Sequence, residues 1–201
     1  MVRSIEQPKR IRIIKQPIIN ILTRQVMLEE CFCRPDGYAS LKEYFSIRDP
    51  WLLWQREYHA ILQAITHQTS YPMNCNITMM SLPKLLASNE LSWNGGIEIV
   101  EWGRTSMSME SIQAAIQKLQ TRGLSVWADD VTPELLDFWV QTGVPGLKVE
   151  LQELYDIDFL ARLKYTKKPI IIERIETKSD EKFVLESGFH LVQGHLYGKA
   201  Q

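Results

Sequence analysis

Short runs of aliphatic and β-branched residues alternate along the chain with longer segments in which apolar residues recur every three or four positions. The short runs predict strands near residues 16–21, 25–33, 73–78, 96–101, 124–129, 146–150, 169–173 and 191–195. Helical spacing is clearest over residues 51–67, 109–122 and 178–187. Strands that alternate with helices in this way are typical of an α/β fold with a parallel sheet.

Turn chemistry supports these boundaries. Thr132-Pro133 predicts a helix start, because threonine caps well and proline suits the first helical position. Thr177 and Asp180 have the spacing of a capping box. Gly123, Gly143 and Gly188 follow helical segments, where the left-handed residue that ends a helix is usually glycine.

The connection between the first two predicted strands is too short for a parallel crossover. Only Leu22-Thr23-Arg24 separates them, so we expect an antiparallel hairpin. The other strands are far enough apart for right-handed crossovers. Eight such strands predict a modified (β/α)8 barrel with one antiparallel pair at the N-terminus, whose chemistry would lie at the carboxyl ends of the strands.

Charged residues end most of the predicted strands. The run Ile170-Ile171-Ile172 is followed by Glu173 and then Glu176, and an ionised acid beside a buried strand is costly unless it is paired or bound to metal. The strands ending at Glu101, at Asp129-Asp130 and at Lys148 repeat the pattern. Each residue also has a simpler interpretation: the aspartates as helix caps, Lys148 as a solvated rim charge.

The second and third strands add further polar side chains to this end of the barrel. Alternation places Glu30, Phe32 and Arg34 on one face of the second strand, and Asn76 lies in the third. Carboxylates and an amide oxygen are ligands that Mg²⁺ or Mn²⁺ prefers. Four or more converging carboxylates would repel each other, and two divalent cations would neutralise them, as in two-metal phosphoryl transfer.

Composition bounds the function classes. With 201 residues, 45% hydrophobic and 23% charged, we expect one soluble domain over residues 14–201 after a basic lead-in over 1–13. A net charge of −1 gives no reason to expect a nucleic acid polymer or a membrane surface as partner. There is no transmembrane run and no secretory signal, so we expect a cytoplasmic protein. Cys31 and Cys33 are expected to be reduced core residues, and the four histidines to be structural.

These motifs, in this order, resemble the EAL-domain family of cyclic di-GMP phosphodiesterases. The resemblance runs from about residue 14 to the C-terminus, and no single motif carries it alone. Its parts are Gln16-Pro17-Ile18 for QPI, Glu30-Cys31-Phe32-Cys33-Arg34 for E-A-L-x-R, Asn76-Ile77-Thr78 for N-x-S, Glu98-Ile99-Val100-Glu101 for E-x-T-E, Asp129-Asp130 for the start of D-D-F-G, Lys148-Val149-Glu150 for K-I-D, Glu173-Arg174-Ile175-Glu176-Thr177 for E-G-V-E-T, and Gln193-Gly194-His195-Leu196-Tyr197 for Q-G-Y-x-F.

The resemblance implies two-metal hydrolysis of cyclic di-GMP to pGpG. It implies a metal shell of Glu30, Asn76, Glu101, Asp129, Asp130 and Glu173. Glu173 and Lys148 would activate and orient the attacking water, and Glu176 would support the shell. Arg34 would hold a substrate phosphate, and Gln16 and Gln193 would contribute to the nucleotide pocket.

The chain also departs from the family pattern. Val131-Thr132 replaces Phe-Gly after the paired aspartates, in a loop that couples the family's metal site to dimer contacts. Arg104 lies three residues after Glu101, where active members often carry an acid. Three alternatives therefore stay open: a phosphodiesterase of low activity, with a homodimer possible; a non-catalytic regulator that binds cyclic di-GMP or a protein partner; and an unrelated barrel hydrolase.

Overall fold

The computed structural model describes residues 10–47, 49–88, 91–100 and 107–198. Within these ranges eight strands form a closed barrel in chain order, and helices follow most of the strands. The strands are β1 Ile11–Asn20, β2 Gln25–Pro35, β3 Met73–Thr78, β4 Gly95–Val100, β5 Ser125–Ala128, β6 Gly146–Glu150, β7 Ile170–Glu173 and β8 Leu191–Gln193. The helices are α1 Leu41–Phe45, α2 Pro50–Thr66, α3 Leu82–Ala87, α4 Met109–Thr121, α5 Leu136–Gln141, α6 Ile157–Thr166 and α7 Lys178–Glu186.

The predicted hairpin and barrel are confirmed. β1 pairs antiparallel with β2 and with β8, and the pairs from β2 to β8 are parallel. β1 begins at Ile11, five residues before the predicted start, because Ile11 pairs with Pro35 at the far end of β2. Residues 11–13 of the expected basic lead-in are therefore part of the barrel strand.

The barrel wall is incomplete between β2 and β3. Their pairing covers only Glu29–Cys31 against Met73–Cys75. Beyond it, β2 continues with β1 as far as Pro35, and β3 continues with β4 as far as Thr78. The two strands therefore diverge toward their carboxyl ends, where an opening joins the barrel interior to the helix layer.

The lower half of the barrel interior is apolar. Ile18, Trp127 and Ile171 form a buried cluster there. Trp127 fits because its neighbour on β6 is Gly146, where a Cβ would come within 2.3 Å of the indole ring. This floor closes the barrel from below and leaves the upper half for polar side chains.

The outward faces of the strands pack against the helices in one large core. Cys31, Cys33 and Cys75 lie on these faces, buried and free of disulfides, as predicted for the first two. Among the described residues no helix is both long and apolar enough to cross a bilayer.

The predicted helix ends are confirmed with one exception. Thr177 and Asp180 form the capping box of α7, and Gly123, Gly143 and Gly188 adopt positive φ after α4, α5 and α7. The helix predicted to begin at Thr132 begins instead at Leu136. The Thr132 hydroxyl donates to Glu134 Oε2 at 2.7 Å and so caps no helix, and residues 133–135 form a turn.

Candidate active site

The upper half of the barrel interior is a polar layer built by strand alternation. On β6, Gly146 lies at the floor and Lys148 above it, and on β7 the same step runs from Ile171 to Glu173. β2 supplies Glu30 above Leu28 in the same way. The side chains that converge in this layer are Gln16, Glu30, Asn74, Asn76, Glu98, Asp129, Lys148, Glu173 and Gln193.

Lys148 lies at the centre of this layer and is surrounded by four carboxylates. Its Nζ is 2.8 Å from Glu30 Oε2, 2.6 Å from Glu98 Oε2, 3.0 Å from Asp129 Oδ1 and 2.9 Å from Glu173 Oε1. The Lys148 side chain is 1% exposed, so the interpretation as a solvated rim charge is wrong. An ammonium group has three N–H donors, so it neither satisfies nor neutralises four carboxylates. The ring therefore carries excess negative charge in a buried place.

Amide side chains hold the carboxylates in position. Glu30 accepts from Asn76 Nδ2 at 2.7 Å and from Gln193 Nε2 at 2.8 Å. Gln193 also donates to Gln16 Oε1 at 3.2 Å, which ties β8 and β1 to the ring. These donors orient Glu30 without adding charge.

Burial and mutual repulsion raise the pKa of three of the four carboxyl groups around Lys148. Burial raises the pKa of Asp129 to about 6 and that of Glu173 to about 8, although the Lys148 charge opposes both shifts. Burial together with the neighbouring Glu30 charge raises the pKa of Glu98 well above its usual value. Burial also works against ionisation of Glu30, but Lys148 and the two amide donors hold its pKa below the usual range.

The arrangement fits divalent cations. Asp129, Asp130 and Glu173 each offer an oxygen, and these oxygens lie within 4.8 Å of one another. The side-chain oxygen of Asn76 is buried and has no hydrogen-bond partner among the described residues, while its Nδ2 is used by Glu30. A free amide oxygen beside surplus carboxylates is a donor set that Mg²⁺ or Mn²⁺ prefers.

A pocket of about 280 Å³ opens above the ring. Gly194 forms part of its wall, where a Cβ would lie 2.1 Å from the backbone oxygen of Ile175. Arg174 and Glu150 pair at its rim with Nε 2.5 Å from Oε1. The pocket is lined by Gln16, Glu30, Phe32, Asp129, Asp130, Lys148, Glu150, Glu173, Arg174, Glu176, Gln193, Gly194 and His195.

The structure brings most of the residues predicted from sequence to this pocket. Glu176 lies at the exposed edge, with Oε1 4.0 Å from His195 Nδ1. Arg34 is not among the lining residues; its guanidinium donates to the Cys33 carbonyl oxygen at 2.9 Å and lies over the Phe32 ring. Glu101 and Arg104 lie outside the described residues. The interpretation of Asp129 as a helix cap is wrong, since its carboxylate contacts Lys148.

Sequence reasoning gave no role to two central residues. Glu98 has 0% exposure and lies in the ring, and Asn74, also fully buried, donates to Glu98 Oε1 at 3.0 Å. The signal for Glu98 was a carboxylate between Ile97 and Ile99 inside a buried strand, where an unpaired charge is costly. The signal for Asn74 was its position two residues before Asn76, which places both side chains on the same face of β3.

The solved structures described next share the fold of this chain at low sequence identity. The YkuI protein of Bacillus subtilis, with an EAL domain and in complex with substrate c-di-GMP and calcium, is 17% identical at a TM-score of 0.77 over 95% of this chain. A manganese and c-di-GMP complex of Klebsiella pneumoniae BlrP1 is 17% identical at 0.75 over 98%. This chain spans about half of those two, 55% and 56% of their lengths.

A standalone EAL protein from Vibrio cholerae in its c-di-GMP-bound form is 16% identical at a TM-score of 0.72, with 98% of this chain and 94% of that chain covered. No family model and no curated protein matches the sequence. The predicted resemblance is thus confirmed at the level of the fold: the chain has the modified barrel of the EAL-domain structures.

Proposed function

We propose that this protein binds cyclic di-GMP and hydrolyses it to pGpG with divalent cations. The observation that carries the proposal is the ring of four buried carboxylates around Lys148, together with the free oxygen of Asn76. The solved structures of the same fold that contain c-di-GMP with calcium or manganese support this ligand and a divalent metal.

The metal shell that we propose is the one that the sequence suggested. Glu30, Asn76 and Asp129 would hold one cation, and Asp129, Asp130 and Glu173 a second. Glu98 would stay outside this shell, because its Oε1 accepts from Asn74 and its Oε2 from Lys148. Glu101, which follows Val100 in the sequence, keeps its predicted role as a ligand. A pair of divalent cations neutralises the phosphodiester charge and acidifies a water molecule.

The chain's own residues would orient that water and the substrate. Glu173 would accept a proton from the water, and Lys148, which lies 2.9 Å from Glu173 Oε1, would hold both in line with the phosphorus. The water oxygen would form a bond to phosphorus as one P–O3′ bond breaks, and the leaving 3′-oxygen would take up a proton from solvent, so the product is a linear dinucleotide with a 5′-phosphate and a free 3′-hydroxyl. Gln16 and Gln193 would line the nucleotide pocket, Arg34 would turn its guanidinium toward a phosphate, and Glu176 would support the shell from the rim.

A second candidate function is binding of cyclic di-GMP without turnover. It is favoured by the connection after the paired aspartates, where only residues 131–135 separate Asp130 from α5. Asp130 is exposed and has a φ of 47°, an uncommon backbone conformation for an aspartate, so its placement depends on this short connection. A loosely placed second ligand would lower turnover more than substrate affinity.

The test combines binding and turnover in one matched set of proteins. Three proteins are incubated with cyclic di-GMP and Mg²⁺ or Mn²⁺: wild type, Glu173→Gln and the control Glu186→Gln. Glu186 suits the control because its side chain is 64% exposed on α7. Nucleotide chromatography follows pGpG, and calorimetry follows binding. We expect Glu173→Gln to lower the rate by roughly 100-fold or more with binding retained, and Glu186→Gln to change neither. Binding by wild type without pGpG after a day would replace hydrolysis with the second function; neither binding nor cleavage would make a protein partner the leading explanation.

A further inference from the structure

A second cavity, of about 250 Å³, lies between the barrel wall and the helices α1 and α2. It occupies the place where β2 and β3 diverge beyond their three paired residues. It touches the ring at Glu30, Asn76 and Asp129, but much of its lining is on the helix side of β2, where Cys31 and Cys33 point. Its occupant would therefore be distinct from a ligand in the pocket above the ring.

The wall of this cavity is mostly apolar. Leu41 and Phe45 of α1 form one side, and Ala60 and Ala64 of α2 form the other, one helical turn apart. The two alanines keep the space open, because a larger side chain at either position would project into it. A flat apolar molecule would bury its faces between these two sides.

Glu57 is the polar exception on the helix side of the cavity. Glu57 is only 3% exposed, and its Oε1 accepts a hydrogen bond from the Thr78 backbone N–H at 2.7 Å. Oε2 is buried and has no hydrogen-bond partner among the described residues. Burial raises the pKa of Glu57 to about 7, although the neighbouring Ser81 hydroxyl and the Thr78 hydroxyl and N–H favour the ionised form.

We propose that this cavity binds a small bicyclic aromatic molecule with one N–H donor, with its rings between α1 and α2 and its N–H on Glu57 Oε2. The size supports two fused rings, since an apolar cavity of about 150 Å³ accepts benzene and this one is about 250 Å³. The single donor follows from Glu57 Oε2, the one oxygen without a hydrogen-bond partner among the described residues of α1 and α2 that line the cavity; such an oxygen is costly to bury. The proposal does not depend on cyclic di-GMP as a substrate.

Indole is the probe, and benzofuran is its matched control because it has nearly the same shape and no N–H. Calorimetric titrations use the full chain with EDTA at pH 8. We expect wild type to bind indole roughly tenfold more tightly than benzofuran, the effect of one hydrogen bond. Glu57→Gln should keep the affinity for benzofuran and lose the preference for indole.

Ala60→Phe should remove binding of both probes by filling the cavity, whereas the same change at exposed Ala161 on α6 should leave binding unchanged. Thermal unfolding shows whether each variant is folded. If Ala60→Phe fails to fold, the Glu57→Gln result decides the proposal. Equal affinity of wild type for the two probes, no binding of indole up to its solubility, or an undiminished indole preference in Glu57→Gln would overturn it.

Discussion

Lys148 is the residue on which the polar layer depends, because it is the buried cation that four carboxylates share. Replacement by methionine keeps most of the volume and leaves the carboxylates without a counter-charge. We expect Lys148→Met to lower the free energy of unfolding by about 3–5 kcal/mol in EDTA, the cost of breaking a buried ion pair from one side. Urea unfolding measures it.

Added Mn²⁺ should recover part of the stability lost in Lys148→Met, since a cation bound to the folded state replaces the missing charge. The control is Lys182→Met, which removes an exposed lysine 3.7 Å from Glu186 and should cost at most about 0.5 kcal/mol with no response to metal. Equal losses in the two variants would show that the ring does not rely on its central lysine.

At the scale of single residues, strand alternation predicts which acids share a strand face, but it does not predict their hydrogen-bond and ion-pair partners. Alternation predicted Glu30 on the inward face of β2, and the structure has it there. Glu98 was not predicted as a site residue because its partner Lys148 is fifty positions away in the sequence. A glutamate inside a strand can be assigned to the site only when that ion pair is known. The depth of Lys148 could not be predicted either, because it depends on how eight strand ends meet.

At the scale of elements, one carboxylate ties the N-terminal hairpin to the C-terminal end of the chain. Glu181 of α7 accepts from both Nη atoms of Arg24 in the β1–β2 turn, at 2.7 and 2.9 Å. Tyr197, after β8, donates to the same carboxylate at 2.6 Å. These hydrogen bonds hold the pKa of Glu181 at about 2, below its usual value of 4.5.

The contribution of this link to stability should depend on pH with a definite sign. Because the folded-state pKa of Glu181 is lowered, its stabilisation is present above about pH 4.5 and is lost as the pH falls toward 2. We expect Glu181→Gln to cost about 1–2 kcal/mol at pH 7, a discounted value because Arg24 is largely exposed. Urea unfolding of both proteins from pH 7 to pH 2.5 should show the difference shrinking below pH 4.5; a constant difference would contradict the assignment.

The ends of helices and strands are predicted less well from sequence patterns than the elements themselves. The strongly periodic helices α2, α4 and α7 lie within one or two residues of their predicted limits. The start of α5 was wrong, since Thr132 and Pro133 have the right residue types for a helix start, but the Thr132 hydroxyl bonds Glu134 instead of a backbone N–H. The extension of β1 to Ile11 was missed because it depends on the pairing partner Pro35, which local propensity does not contain.

At the scale of the whole molecule, the barrel separates packing from chemistry by height. The cluster of Ile18, Trp127 and Ile171 closes the lower interior, and the carboxylate ring occupies the layer above it. This layering was predictable in outline, because alternation and the position of charged residues at strand ends are both visible in the sequence. The opening between β2 and β3 was not, since it follows from a pairing that stops after three residues.

Because of the opening between β2 and β3, the two cavities share lining residues. We therefore expect ligand binding in one cavity to change the affinity of the other for its ligand. Glu30 and Asn76 belong to the carboxylate layer and also line the cavity beside α2. An aromatic molecule packed against β2 would restrict the motion of both side chains, and a metal that binds afterwards would lose less conformational entropy. We therefore expect saturating indole to tighten Mn²⁺ binding by roughly three- to tenfold.

Thermodynamic linkage requires the reverse effect as well: saturating Mn²⁺ must tighten indole binding by the same factor. Calorimetry measures both affinities, each with and without the other ligand. Ala60→Phe, whose side chain would occupy the cavity in place of indole, should lose the response of Mn²⁺ affinity to indole, which separates coupling through the cavity from a direct effect of indole on the metal. Mn²⁺ affinity that is unchanged or weaker with indole bound would mean that β2 does not transmit the occupancy of one cavity to the other.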